Sequence, residues 1–486
     1  MASRLLSHTL QTHAGLTKQF ARPLATAAKQ AYSTRTTVLS NGLTVATEEN
    51  PNAGAATVGV WIDAGSRSEQ VNGTANFLGH VSAKGQTGAF EKVGGILRAR
   101  TTRDQTFFAT KTLASNVNQS VEILSDLIQN TKIDQSVIDN ELSAVLKEQK
   151  EAENDLQQAV FDHLHATAFQ ATSLARPAAG IKESVEAITA DDLKAFQKEN
   201  YTSNRIVLVG AGDVDHEALV KLAETKFASL ESSTTSAVKK AVFTGSEIRL
   251  RDDVLPEAHL ALAVEGAPAF TPDYFNLLVM QAIIGSWDRN LGAAANLSSR
   301  LSTIVNNNHL ANSFASFTKG YKDTGLWGIY FATENREQID DFVHFTQKEW
   351  SRLPTTVTAD EVERAKQQVK AGLLLSLDST CSVAQDIGSQ VLLAGKRLNG
   401  AELEAAINKI SVGDIRKAAD KYIWDQEVAV VGLGPIECLT DYTRVRGNMA
   451  YNSDLPGDRV YGEGSVTSEL SFRYQMARQV KGYKFK

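Results

Sequence analysis

Apolar positions recur in two stretches of this chain that follow the same plan. Residues 188–212 (ITADDLKAFQKENYTSNRIVLVGAG) and 410–434 (ISVGDIRKAADKYIWDQEVAVVGLG) each show a polar cap, apolar positions at helical spacing, a short break and a β-branched run ending in Gly-x-Gly. These patterns predict an amphipathic helix followed by a buried strand. The two stretches are offset by 222 residues without a gap. A repeat of this length indicates a duplicated domain, because solenoid repeats are much shorter.

The rest of the pattern mixes strands and helices without strict alternation. Residues 37–48 predict a hairpin with an Asn-Gly turn, and residues 56–64 predict a further strand. Long helices are predicted over 116–130 and from 135 through about 169. Residues 359–374 repeat the start of the second of these helices at nearly the same offset. We therefore predict an α+β fold of two homologous domains.

Composition suggests where the domains begin and end. A Ser/Thr-rich polar stretch after a predicted helix is typical of a linker. The predicted segments are a mitochondrial transit peptide at 1–33, an N-terminal α+β domain at 34–231, a linker at 232–243, a C-terminal α+β domain at 244–443, and a C-terminal extension with a basic end at 444–486.

The N-terminal segment has no acidic residue from Met1 to Thr47, and its Lys and Arg residues lie among Ser, Thr, Ala and Leu. That composition is typical of a mitochondrial transit peptide. The formal net charge is −6, and removal of residues 1–32 takes away four positive charges and leaves −10. An acidic body argues against nucleic-acid binding. No apolar run is long enough to span a bilayer, so any membrane association is predicted to be peripheral.

The candidate chemistry lies in residues 76–80, N-F-L-G-H, at a predicted helix start. In inverted zinc proteases this segment reads H-x-x-E-H: two histidines four apart bind zinc, and the glutamate acts as the general base. Here His80 can supply one ligand, but Asn76 replaces the other histidine and Gly79 replaces the glutamate. An amide oxygen is a poor zinc ligand, and glycine has no side chain. The segment predicts a degenerate site with no catalytic and no metal-binding residue.

Several stretches of the chain resemble the mitochondrial processing peptidase family, which includes the core proteins of ubiquinol–cytochrome c reductase (complex III). They are TVLSNGLTVATE at 37–48, VGVWIDAGSRSE at 58–69, FDHLHATAFQATSLARPAAG at 161–180, GSWDRNLGAAANLSSRLS at 285–302, LANSFASFTKGYKDTGLWGIYF at 310–331 and VAQDIGSQVLLAGKR at 383–397. The likeness is greatest to the β-subunit of the peptidase and to core protein I. It implies a clamshell-like pair of pitrilysin-like domains.

The resemblance also bears on the degenerate site. In the family the third zinc ligand is a glutamate in the helix before the FDHLH stretch, and Glu148 stands at that position. Arg98 replaces an asparagine that lines the substrate strand in active members. Thus His80 and Glu148 match the family, while Asn76 and Gly79 depart from it.

These departures lead to an expectation about function. The chain is expected to be a non-catalytic core subunit of complex III, and not an enzyme, that supports electron transfer from ubiquinol to cytochrome c. The alternative is the β-subunit of the mitochondrial processing peptidase, which cleaves presequences with zinc. A third hypothesis is a peptide-binding matrix protein outside any respiratory complex.

The resemblance implies partners and a location as well. The expected partners are core protein II (a related chain), cytochrome b, the c-type cytochrome and the Rieske iron–sulfur subunit, in a dimeric complex on the matrix side of the mitochondrial inner membrane. No cofactor is expected. The only cysteines are Cys381 and Cys438, too few for a four-cysteine iron–sulfur cluster.

Overall fold

A computed structural model describes residues 33–233, 239–291 and 299–450. The predicted transit peptide, except for Ser33, lies outside these ranges, as do residues 234–238 of the predicted linker and residues 451–486 of the predicted extension. Within the described ranges no helix is both long enough and apolar enough to cross a bilayer.

The first half of the chain forms a six-stranded mixed sheet, here called sheet 1, and seven helices within the described residues. The strands are β1 (Thr34–Val38), β2 (Thr44–Glu49), β3 (Ala55–Ile62), β4 (Ile96–Thr101), β5 (Thr106–Leu113) and β6 (Ile206–Gly212). The helices are α1 (Thr74–Lys92), α2 (Val117–Gln129), α3 (Gln135–Asn154), α4 (Leu156–Ala168), α5 (Lys182–Glu186), α6 (Ala190–Asn200) and α7 (His216–Lys226). The strand order is β1-β2-β6-β3-β5-β4, and only the β2–β6 pair is parallel.

The second half forms sheet 2 and eight helices in the part that the structure describes. The strands are β7 (Glu247–Arg251), β8 (Ala258–Gly266), β9 (Ser286–Asp288), β10 (Ser313–Gly320), β11 (Gly325–Thr333) and β12 (Ala429–Gly434). The helices are α8 (Pro272–Ile284), α9 (Arg300–Asn308), α10 (Ile339–Arg352), α11 (Ala359–Leu375), α12 (Thr380–Ala394), α13 (Gly400–Asn408), α14 (Val412–Tyr422) and α15 (Tyr442–Asn448). The order is β7-β12-β8-β11-β10-β9, and only the β7–β12 pair is parallel.

The two sheets share a five-strand plan. The runs β2-β6-β3-β5-β4 and β7-β12-β8-β11-β10 each begin with one parallel pair and continue with antiparallel pairs. Helices α6 and α14 precede the equivalent strands, and each begins with a capping box, formed by Thr189 with Asp192 and by Ser411 with Asp414. The predicted α+β fold of two homologous domains is confirmed.

The sheets differ at their edges. Sheet 1 has its sixth strand, β1, beside β2, through the predicted hairpin; Gly42 at the turn has φ +92°, which favours glycine. Sheet 2 has its sixth strand, β9, at the opposite edge, beside β10. As a result β10 is covered by a neighbouring strand, whereas its counterpart β4 is an edge strand.

The predicted continuous helix from 135 through about 169 is wrong. The helix ends at Asn154, and a new one begins at Leu156. Between them Asp155 has φ −77° and ψ 99°, and its side chain accepts a hydrogen bond from the Gln158 amide. An aspartate that caps a new helix also interrupts the previous one, because its side chain replaces a helical backbone partner.

This break allows the two halves to exchange helices. Helix α4 of the first half packs on sheet 2, where Val160 and Leu164 contact a cluster that includes Ala261 and Val431. Helix α12 of the second half packs on sheet 1, where Ile387 joins the cluster around Trp61. Each sheet therefore has one face covered by a helix from the other half.

Ion pairs also join the halves. The Arg67 guanidinium donates to Asp104 Oδ1 at 2.9 Å and to Asp323 at 2.8 and 3.0 Å. Arg397 binds Asp386 at 2.8 Å and also pairs with Glu48 across the boundary. Both arginine side chains are only 4% exposed, so breaking either network would leave a buried charge unpaired.

His165 on α4 predicts a pH dependence of folding. Its ring is buried, with Nδ1 donating to the Phe161 carbonyl at 2.6 Å and Nε2 hydrogen-bonded to the Tyr321 hydroxyl of the other half. Burial lowers the pKa of His165 well below 6.5, so below pH 6.5 the unfolded state binds the proton more readily. We expect the contribution of neutral His165 to the free energy of unfolding to be complete above pH 6.5 and to fall by up to about 1.4 kcal/mol per pH unit below it. Urea unfolding of wild type and His165→Gln across this range measures the effect, and equal slopes for the two proteins would contradict it.

Candidate functional site

The N-terminus of α1 is fixed by a buried carboxylate. Glu69 accepts hydrogen bonds from the Gly73 amide at 2.9 Å and from the Ala75 amide at 2.8 Å. These amides lie at the start of the helix, where backbone donors have no helical partner. Gly73 itself has φ +95°, and a Cβ there would lie 2.8 Å from Val185. These contacts thus fix the start of α1, whose first two turns carry Asn76, Gly79 and His80.

The structure brings all four predicted site residues to one cavity. Asn76, Gly79 and His80 come from α1, and Glu148 comes from α3. His80 Nε2 and Glu148 Oε2 are 2.5 Å apart, and the two side chains are 30% and 49% exposed. The hydrogen bond from His80 lowers the pKa of Glu148, so the carboxylate stays charged.

The two positions that depart from the protease motif, 76 and 79, differ in their surroundings. Asn76 is buried, and its Nδ2 has no hydrogen-bond partner among the described residues. Around Gly79 there is open space, because the nearest atom to a Cβ built there is Thr101 Oγ1 at 3.5 Å. The site therefore has room for a side chain at position 79, but neither Asn76 nor Gly79 supplies a zinc ligand or a base.

The residues present do not fit a catalytic zinc ion. Such a site needs three protein ligands and an open position for water, and His80 and Glu148 provide only two. In the described part of the chain no group of three or more His, Cys, Asp or Glu side chains is arranged to hold a metal. The base position, Gly79, has no proton acceptor. No hydrolytic step through zinc can be derived from this donor set.

The cavity itself is large and acidic. Its volume is about 590 Å³, and it lies between α1, the edge strand β4, α3 and α4. Besides Glu148, it is lined by the carboxylates of Glu151, Asp155 and Asp162, against one arginine, Arg100. These three carboxylates were not predicted from the sequence, because glutamates and aspartates are common on helices. Asp155 and Asp162 follow the break between α3 and α4, which was not predicted either.

Arg98, which the resemblance places on the substrate strand, lies on β4. Its Nη1 is 3.7 Å from Cys381 Sγ in the second half, so it reaches across the boundary between the halves. On the side away from β5, no strand of the described residues pairs with the backbone of β4.

Comparison with known families identifies this architecture. The family profile described as insulinase (peptidase family M16) matches residues 44–182, and the profile described as the peptidase M16 inactive domain matches residues 187–369. The chain belongs to peptidase family M16. The motif and Glu148 lie in the first matched domain, and most of sheet 2 lies in the second.

Individual M16 relatives resemble the chain over most of its length. The mitochondrial-processing peptidase subunit beta of Lentinula edodes is 48% identical over 468 residues, which cover 93% of this chain and 99% of that protein. The probable subunit beta of Schizosaccharomyces pombe is 48% identical over 435 residues, and the human subunit beta is 41% identical over 434. They cover 86% and 87% of this chain, and 95% and 88% of their own lengths.

A solved structure is similar as well. A chain of the structure titled "Complex III2 from Candida albicans, Inz-5 bound" matches with a TM-score of 0.79 and 33% identity, covering 86% of this chain and all of that one. The predicted resemblance to the group of processing peptidases and core proteins is confirmed. The mitochondrial relatives also support a mitochondrial location for this M16 chain.

Two expectations from the sequence are wrong. The expected non-catalytic core subunit of complex III is contradicted, because relatives at 41–48% identity over most of the chain are named subunits of the processing peptidase. The expectation that the chain is not an enzyme is contradicted by the same names. The physical reason is that two substitutions, at Asn76 and Gly79, change the donor set but leave the fold and the cavity intact. That the four site positions form a degenerate site stays a prediction.

Proposed function

We propose that this chain is a β-type subunit of a mitochondrial processing peptidase and that it binds the presequence being removed. The observation that carries the proposal is the open edge of β4 beside the acidic cavity. The named relatives support it, since they match the chain over most of its length.

The duplicated half shows what such an edge can accept. In sheet 2 the equivalent strand β10 is paired with β9, a three-residue antiparallel strand, through Ser313, Phe314 and Ala315. In sheet 1 the same edge has no strand of the described residues beside it. An extended peptide can pair with an open edge through main-chain hydrogen bonds, which do not depend on its sequence. A presequence segment would thus occupy the place that β9 fills in the other half.

The charge of the cavity agrees with this occupant. Presequences are rich in arginine and poor in acidic residues. Glu148 and Glu151 on α3, with Asp155 just after it, form an acidic wall facing the edge strand. Charge complementarity of this kind raises the association rate and favours basic peptides over acidic ones.

The proposal concerns presequence binding within the peptidase. Zinc, when bound in an M16 site, polarises a carbonyl and activates a water molecule. In this chain His80 and Glu148 are hydrogen-bonded to each other, and Asn76 and Gly79 supply neither a third ligand nor a base. What the described residues do is bind, orient and neutralise a basic extended peptide.

We expect the double variant Glu148→Gln/Glu151→Gln to bind a basic presequence peptide about tenfold more weakly, because two charge-assisted contacts are lost. The measurement is fluorescence anisotropy of a labelled presequence peptide with the chain and an α-type partner subunit, in parallel with a cleavage assay. The control is Glu224→Gln/Asp420→Asn, which removes two exposed carboxylates that do not line the cavity. Equal affinity of the double variant and this control, or no binding by wild type, would refute the proposal.

The finer partners and location also remain proposals. The similarity to a chain of a complex III structure supports association with subunits of that complex. Core protein II, cytochrome b, the c-type cytochrome and the Rieske subunit are the expected neighbours, and the matrix side of the inner membrane is the expected place.

A further inference from the structure

A second cavity lies apart from the peptide site and shares no lining residue with it. Its volume is about 570 Å³. It is lined by five cationic side chains and one carboxylate, that of the exposed Glu199. The cations are Arg67, Arg176, Arg205, Lys239 and Lys240.

The two buried arginines of this cavity have unsatisfied donors. Arg67 is 7% exposed and Arg205 is 6% exposed, and the Nε of each is buried without a hydrogen-bond partner among the residues that the structure describes. An unpaired buried donor is unfavourable, because it has lost its hydrogen bonds with water.

Arg205 makes no direct ion pair among the described residues. Its Nη1 donates to the Asn200 side-chain oxygen at 2.7 Å, and its Nη2 donates to the Asp63 carbonyl and to Ser68 Oγ. All three acceptors are neutral, and no ion pair of Arg205 occurs in the described residues. Burial lowers the pKa of Arg205, although the nearby carboxylates of Asp63 and Glu199 act against this shift.

Three of the other cations also form no ion pair with the described residues. Arg176 donates from Nη1 to the Glu69 carbonyl at 2.7 Å and has no ion pair within the described ranges. Lys239 and Lys240 are exposed at the rim of the cavity, and they also form no ion pair with the described residues. Only Arg67 is neutralised, by Asp104 and Asp323. The lining of the cavity therefore carries five cations against one carboxylate, although Asp63 also lies near Arg205.

We propose that this cavity binds a phosphate group. Two arginine forks, two lysines and the hydroxyls of Ser68 and Ser173 surround one space, and a phosphate offers several oxygens with up to two negative charges to such donors. A carboxylate would leave more of these donors unpaired. The space exceeds that of a free phosphate ion, so the ligand is a phosphate ester, either a soluble metabolite or a phospholipid headgroup.

The test titrates the full-length chain with inorganic phosphate by calorimetry, and separately with vesicles of phosphatidylcholine containing phosphatidic acid by co-sedimentation. We expect Lys239→Ala/Lys240→Ala to weaken binding at least about tenfold. The control Lys409→Ala/Lys417→Ala removes two exposed lysines elsewhere and is expected to bind like wild type. Because both pairs are exposed, neither change depends on refolding of the core.

The outcomes separate the two sources of the ligand. Binding of inorganic phosphate that the Lys239/Lys240 variant weakens and the control retains supports a soluble phosphate ester. The same pattern with the vesicles alone supports a lipid headgroup. Absence of binding to both probes, or equal weakening by the two variants, overturns the site. Arg176→Gln provides a second check, since it removes a half-buried cation without touching the rim, and unchanged affinity in that folded variant also counts against the site.

Discussion

The double variant Asn76→His/Gly79→Glu is expected to bind about one zinc ion per chain, whereas the wild-type chain is expected to purify with little. Position 76 lies four residues before His80, so a histidine there shares its helix face and reaches the same cavity. Glu148 already stands beside His80 as the third ligand. A complete three-ligand set binds zinc with a large apparent free energy, about 10 kcal/mol or more in structural sites.

The structure has room for this change. Ligand atoms on a tetrahedral zinc are about 3.3 Å apart, so His80 and Glu148, now 2.5 Å apart, must separate by roughly 0.8 Å. Both side chains are partly exposed and can do so. The Cβ of a glutamate at position 79 meets only Thr101 Oγ1, at 3.5 Å. The change also removes a glycine from a helix interior, which by itself stabilises by about 0.5–1 kcal/mol.

The single variants distinguish the ligand from the base. Asn76→His alone is expected to gain zinc, and Gly79→Glu alone is expected to gain none; only the double variant should combine zinc with chelator-sensitive cleavage of a presequence peptide. Metal analysis after dialysis, followed by cleavage assays with an α-type partner, provides the readout. A folded Asn76→His variant without zinc would mean that the cavity no longer has the geometry of the family's zinc site.

The variant Gly388→Ala is expected to destabilise the protein by about 1–3 kcal/mol, which is a large effect for one methyl group. Gly388 is a buried residue of α12, the helix that covers sheet 1. A Cβ at this position would lie 2.3 Å from Trp61 Cδ2 and 2.4 Å from Cγ. Trp61 is 1% exposed and stacks on Phe107 at 5.5 Å, so the ring cannot move aside. The methyl group would push α12 away from the sheet.

A matched control is available in α11. Gly372 is also inside a helix, but nothing lies within 4 Å of a Cβ built there. Gly372→Ala is therefore expected to stabilise by up to about 1 kcal/mol.

In a Trp61→Leu background the cost of Gly388→Ala should shrink, because the smaller side chain leaves space. Urea unfolding of wild type, Gly388→Ala, Trp61→Leu and the Gly388→Ala/Trp61→Leu double variant measures this coupling. If the two changes have purely additive effects on the free energy of unfolding, the clash with Trp61 is not the cause of the destabilisation.

The fold was largely predictable from periodicity. The 222-residue offset matches the structure in α6 and α14, which begin at Ala190 and Val412 and end at Asn200 and Tyr422. Capping residues and β-branched runs are local signals, and they fix such elements without tertiary information. The helix exchange was not predictable, since it depends on a single break at Asp155 and on which sheet each helix then meets.

The four site residues were predictable from the sequence, but what they imply for the function of the protein was not. Four positions were selected from a motif, and the structure brings them together around one cavity. The inference from Asn76 and Gly79 to a different protein function was wrong, because relatives at 41–48% identity over most of the chain are named subunits of the processing peptidase, and a five-residue motif does not represent the rest of the chain. The phosphate cavity was missed altogether, since its arginines are spread from residue 67 to residue 205 and no local pattern joins them.

The exchange of α4 and α12 has a consequence for how the chain acquires its structure during synthesis. Sheet 1 has all its strands once residue 212 has been made, yet the helix that covers one of its faces begins only at Thr380. The hydrogen bond between Thr57 and Thr380 joins positions 323 residues apart. Contacts of such separation form late and slowly. A growing chain therefore carries an apolar sheet face without its cover until most of the second half exists, and that interval is when it most needs protection by a chaperone.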